Sequence, residues 1–76
     1  MTSPEIDNAI LAVTEAHWRK VAMIILMTAE RLGSGLPEGD AGCNLIAARI
    51  AALVAAGRLA SQGDISKWRH SEVRLP

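Results

Sequence analysis

Ile6, Ala9, Ile10 and Val13 recur at i, i+3, i+4 and i+7, one apolar stripe on a helix over about residues 3–13. Thr2 and Glu5 have the spacing of a capping box, and Pro4 falls in the first turn, where a missing N–H is tolerated. A second stripe, Trp18, Val21, Ala22, Ile25, Ala29 and Leu32, predicts a helix over about 15–32. Thr14 is its expected N-cap, and Glu15 places a negative charge at the positive end of the helix dipole. Ile24 and Met27 carry the apolar surface well beyond that stripe. A helix apolar over most of its circumference must be covered on most sides. This one is therefore either the central helix or an interface between copies, with Met23, Ile24 and Met27 as core or as a dimer seam. Gly33 suits the left-handed residue that ends a helix.

Residues 33–42 hold four glycines and one proline and read as a loop, with room for one helical turn near Glu38–Gly42 and with Asp40 as a cap. A third helix over about 43–56 then buries Ile46, Ile50, Leu53 and Val54. Most of its other positions are alanine, which favours helix and lets another backbone come close. Gly57 stops it. Leu59–Gln62 suits an extended segment, Gly63-Asp64 a turn, and Glu72-Val73-Arg74-Leu75 alternates polar and apolar as an edge strand does. The tail thus predicts a β-hairpin over about 59–75, packed on the third helix by Leu59, Val73 and Leu75.

The run Arg49-Ile50-Ala51-Ala52-Leu53-Val54-Ala55-Ala56-Gly57-Arg58-Leu59 resembles a recognition helix entering the first wing strand of a winged helix-turn-helix domain. Gly63-Asp64 followed by Arg69-x-Ser71-Glu72-Val73-Arg74-Leu75-Pro76 resembles the closing segment of a bacterial domain family of unknown function, also found at the C-terminal end of longer proteins. The resemblance covers residues 49–76 and implies a fold rather than an activity. A helix-turn-helix places a short helix just before the recognition helix. With residues 15–32 as one long helix, only the glycine-rich 33–42 is left for it, so that element is expected to be a turn or absent. The resulting expectation is a single α+β domain over residues 1–76, mostly α: a winged-helix-like three-helix domain with a C-terminal β-hairpin.

Composition limits what such a domain does. Half of the 76 residues are apolar, enough for a core, yet a chain this short buries only ~60% of its unfolded surface, so a second copy would add stability. Eight basic and eight acidic residues cancel, which lowers the expectation of a broad nucleic-acid surface and favours self-association. The single cysteine forms no internal disulfide and fits a reducing cytoplasm. No basic stretch precedes an apolar one at the N-terminus, so no signal peptide is expected. The apolar run Val21–Ala29 is far short of the ~20 residues that cross a bilayer.

Charge is unevenly placed. Residues 1–40 carry six acids and three bases, residues 41–76 two acids and five bases. Lys67, Arg69 and Arg74 fall close together with Trp68 and His70 interleaved, a pattern suited to a wing gripping phosphates. The local alternative pairs Asp64 with Arg69 and Glu72 with a neighbouring base, and lays Trp68 over the hairpin. The exposed face of the third helix is mostly alanine, with Asn44 and Arg49 as the exceptions, and makes a poor reader of base edges. His17, His70 and Cys43 lack the paired local spacing of zinc ligands, and the glycines of 33–42 lack a following Walker lysine. No metal, cofactor or enzymatic activity is expected. The expected function is a macromolecule-binding module, a nucleic-acid-binding regulator using Lys67, Arg69 and Arg74 with help from Arg49 and Arg58. The alternative is a protein-interaction or homodimerisation module without DNA binding.

Overall fold

In a computed structural model that describes all 76 residues, the first helix, α1 (Ser3–Val13), opens on the expected capping box. Thr2 Oγ1 accepts from the Glu5 N–H at 3.4 Å and donates to Glu5 Oε1 at 3.1 Å. Thr14 ends this helix instead of starting the next. Its N–H donates to the Ile10 carbonyl at 3.1 Å and its hydroxyl donates to the same oxygen at 2.7 Å.

The helix expected over 15–32 divides. Arg19–Lys20 form a short strand, β1, and helix α2 runs only from Val21 to Leu32. Two long-range links outweigh local helix propensity here. Arg19 and Lys20 pair antiparallel with Val73 and Glu72, and the Leu75 N–H donates to the Glu15 carbonyl at 2.8 Å. Trp18, assigned to the helical stripe by spacing, lies outside the helix and packs under Arg74, whose guanidinium carbon is 4.8 Å from the ring centroid. Gly33 ends α2 with φ 65°, a positive value that favours glycine, but its ψ of −137° lies outside the left-handed helical cap expected there.

Helix α3 (Asp40–Ala55) begins three residues before the expected start at 43. Gly42 makes the early start possible: it is buried, and a Cβ there would strike the Pro37 carbonyl oxygen. Strands β2 (Ala60–Gly63) and β3 (Ser71–Arg74) pair from Ala60 with Arg74 to Gly63 with Ser71, so the hairpin stands. The sheet order is β1-β3-β2. β3 is therefore the central strand, not the edge strand that its alternation suggests, because β1 covers its free side.

The order helix, strand, helix, helix, strand, strand with this sheet is a winged-helix-like arrangement, mostly α with a small antiparallel sheet. The helix expected to be missing before the recognition helix is α2 itself, set free by the break at β1. Ten buried residues form one core: Ile6 and Ile10 of α1, Val21, Ile24 and Ile25 of α2, Ile46, Ile50 and Leu53 of α3, and Leu59 and Val73 of the hairpin. Val54 and Leu75, expected inside, pack at its rim. Ile24 is enclosed by its own chain, with no exposed surface, so it cannot form part of a dimer seam. Thr28 Oγ1 is buried without a hydrogen-bond partner, a local loss of ~1–3 kcal/mol. No helix is long and apolar enough to cross a membrane.

Candidate nucleic-acid interface

The segment joining β2 to β3 is a wing ordered by its own hydrogen bonds. Asp64 Oδ1 accepts from the Ser66 N–H at 3.0 Å and from the Ser66 hydroxyl at 2.6 Å. The Lys67 N–H donates to the Asp64 carbonyl and the His70 N–H to the Lys67 carbonyl, both at 2.9 Å. Ser71, buried at the start of β3, donates its hydroxyl to the Lys67 carbonyl at 3.0 Å. The Ser66 hydrogen bonds hold the Asp64 carboxyl below its ordinary pKa. Asp64 is thus occupied locally, but by Ser66 and not by Arg69. Glu72 likewise accepts from Gln62 Nε2 at 2.6 Å and takes no cation. Trp68 packs half-buried against the core rim.

These contacts leave Lys67 and Arg69 exposed and without a carboxylate partner, since the three ion pairs of the protein lie elsewhere. Both line a groove of about 410 Å³ between the wing and the first turns of α3, where Asp40 and Asn44 form the facing wall. Arg69 and His70 also border a smaller depression of about 310 Å³ that Lys20 of β1 helps to line. The structure therefore brings Lys20, Lys67 and Arg69 around one edge of the wing. Lys20 was not legible as a member of this group, because only its pairing with Glu72 carries it there.

The remaining candidate cations are placed otherwise. Arg49 donates from Nε and Nη2 to the two Asp7 carboxylate oxygens, each at 2.9 Å, a bidentate pair joining α3 to α1. Arg58 is exposed just past the end of α3 and joins no ion pair. Arg74 covers Trp18. The five cations named from sequence do not form one surface.

The Arg49 hydrogen bonds hold Asp7 below the ordinary carboxylate range, against a smaller opposing effect of burial. A carboxyl whose pKa falls on folding adds stability above its unfolded value, ~3.9, and loses it as pH drops through the lower folded value. Arg49→Ala is therefore expected to lower the melting temperature by several degrees at neutral pH. The gap between variant and parent should narrow at the most acidic pH at which the parent still folds, because the contribution of Asp7 fades as pH falls below its unfolded value towards its lower folded one. Circular-dichroism melts at the two pH values measure the difference; an equal loss at both would show that Arg49 acts through packing alone.

The glycine-rich connection from Gly33 to Gly42 forms a third depression that includes Cys43, but no group of three or more metal-ligating side chains gathers there or elsewhere. Comparison with protein-family models, with curated proteins and with solved structures gives no match for this chain.

Proposed function

We propose that this protein is a non-enzymatic nucleic-acid-binding module that holds duplex DNA by its phosphates through the wing, with little discrimination among sequences. The observation that carries the reading is the placement of Lys67 and Arg69: exposed, unpaired, on a turn ordered by Asp64 and Ser66, beside the first turns of α3. Lys20 extends the same edge. Phosphate contacts position a protein on DNA, whereas base-edge contacts specify sequence. The exposed positions of α3 in its first half are Asp40, Ala41, Asn44, Leu45 and Ala48, of which only Asn44 offers both a donor and an acceptor to base edges. Arg49, the one cation within α3, is committed to Asp7. Asp40 repels phosphate at the helix start, which keeps the contact on the wing.

Fluorescence anisotropy of a labelled duplex across a salt titration tests this. Three phosphate contacts give a log–log slope of about −3. Arg69→Ala should reduce that slope by about 1 and leave the circular-dichroism spectrum unchanged, because Arg69 makes no side-chain bond within the chain. Duplexes of unrelated sequence should bind alike. Absence of salt-dependent binding at low ionic strength overturns the reading.

A further inference from the structure

The groove between the wing and α3 carries opposite chemistry on its two walls. On α3, Asp40 and Asn44 are four residues apart and so lie one above the other on one face of the helix. On the wing, Lys67 and Arg69 flank Trp68. All four polar side chains are exposed, and none is engaged in a hydrogen bond or ion pair within the chain. Trp68 is the one apolar residue of the lining. It is half-buried, rests on the core rim and is held in a short helical turn, Trp68–His70.

A ligand of one charge meets one wall wrongly. A bare phosphate suits Lys67 and Arg69 but is repelled by Asp40; a cation suffers the reverse. A ligand that suits both walls has N–H donors at one end, negative charge at the other and a flat body between them to lie on the indole. An unpaired nucleotide has these parts in its base edge, its phosphate and its ring face. The groove, about 410 Å³, is of a size with the pockets of ~300–1,000 Å³ that take small molecules.

The α3 wall also distinguishes the bases. A carboxylate offers acceptors only, and an Asn amide offers both kinds of group. Guanine alone presents two adjacent donors on its pairing edge, a ring N–H and an amino group, with a carbonyl beside them that can accept from Asn44. Adenine and cytosine present one donor group there. Thymine sets a carbonyl on each side of its single N–H, against the charge of Asp40. In a paired duplex these edges are occupied, so blunt duplexes of unrelated sequence still bind alike.

We propose that this groove takes an unpaired guanine nucleotide, with Asp40 and Asn44 on the pairing edge of the base, Trp68 against its face and Lys67 and Arg69 on its phosphate, a site that rests on those two cations acting as phosphate contacts. The same chemistry serves a free nucleotide and a guanosine at the end of a DNA strand.

Fluorescence anisotropy compares a blunt duplex with the same duplex carrying one unpaired guanosine or one unpaired thymidine at a strand end, in both polarities. The guanosine end should bind at least fivefold more tightly than the blunt or thymidine end, a factor at the lower limit of what stacking one base on an aromatic ring supplies. Asp40→Asn should abolish that preference and at the same time raise affinity for the blunt duplex, because the lost charge no longer repels phosphate. Its circular-dichroism spectrum should match the parent's, since Asp40 is exposed and makes no side-chain bond. Displacement of the guanosine-ended duplex by guanosine monophosphate assigns the groove to the free nucleotide, and resistance to it assigns the groove to strand ends. Salt-dependent binding with equal affinity for all three duplexes overturns the nucleotide site and leaves the phosphate contacts standing. A guanosine preference that survives Asp40→Asn overturns the reading of the base by α3. No binding of any duplex at low ionic strength overturns the site together with the phosphate contacts on which it rests.

Discussion

Ile50→Ala is expected to lower the stability of this domain by ~2–5 kcal/mol, with Leu53→Ala in the same range. Ile50 lies in the middle of α3 with no exposed surface, and Leu53 is 3% exposed one turn later. Both belong to the ten-residue core shared by all three helices and the hairpin. The substitution leaves a cavity that the three helices cannot close without losing their contacts with one another. It also replaces a β-branched residue by the strongest helix former, so propensity alone would stabilise α3 by a few tenths of a kcal/mol. The two effects have opposite signs, and packing is the larger. Total stability at this length lies towards the low end of ~5–15 kcal/mol, so the loss is a large share of the whole. Urea unfolding followed by circular dichroism gives the midpoint directly. A midpoint unchanged or raised would show that α3 is held by its own alanines and not by the core.

What was legible in the chain was what local spacing controls. The capping box of α1, the α3 residues Ile46, Ile50 and Leu53, and the hairpin with Leu59 and Val73 inward all follow from periodicity and turn chemistry over a few residues. The break before α2 does not. Two residues, Arg19 and Lys20, show no alternation, and the partners that make them a strand, Val73 and Glu72, come from the other end of the chain. Trp18 falls in step with Val21, Ala22 and Ile25 by accident of number, so the stripe reads as one helix. That single error has wide effects: it hides β1, makes β3 look like an edge, and removes the helix that should precede α3.

The candidate site divides along the same line. Lys67 and Arg69 stand out because the charge run is local, and the Asp64-x-Ser66 spacing of an Asx turn is a signal already present beside them. The loss of Arg49 to Asp7 joins two helices whose faces meet only in the folded chain, and no spacing announces it. The gain of Lys20 depends on β1. The three residues expected at a dimer seam show both cases at once. Met23 and Met27 do face outward or lie near the surface, while Ile24, between them in sequence, turns into the core because adjacent helical residues point 100° apart.

Gly63→Ala is expected to disrupt the wing, and Gly57→Ala provides the comparison that isolates the reason. Both glycines have left-handed backbones, φ 79° at Gly63 and φ 76° at Gly57. An L-residue in that region costs ~1–2 kcal/mol at either position. At Gly57 the added Cβ meets open space, so the backbone cost is the whole effect. At Gly63 it strikes the His70 carbonyl oxygen and comes within 3.1 Å of Ser71 Cα. Those are backbone atoms at the entry to the facing strand, fixed by the pairing of Gly63 with Ser71, and no rotamer change moves them aside. The strands must part at the end where the wing begins. His70 and Ser71 are the residues whose bonds to the Lys67 carbonyl shape the turn, so parting them also releases Lys67 and Arg69 from their place beside α3. Gly63→Ala should therefore lose more stability than Gly57→Ala, lose protection from hydrogen exchange at Lys67 and His70 while the α3 amides stay protected, and flatten the salt dependence of DNA binding. Gly57→Ala should keep that dependence intact. Equal losses of stability in the two variants, with the wing amides still protected in both, would show that the hairpin yields at Gly63 without cost and that the wing does not depend on this contact.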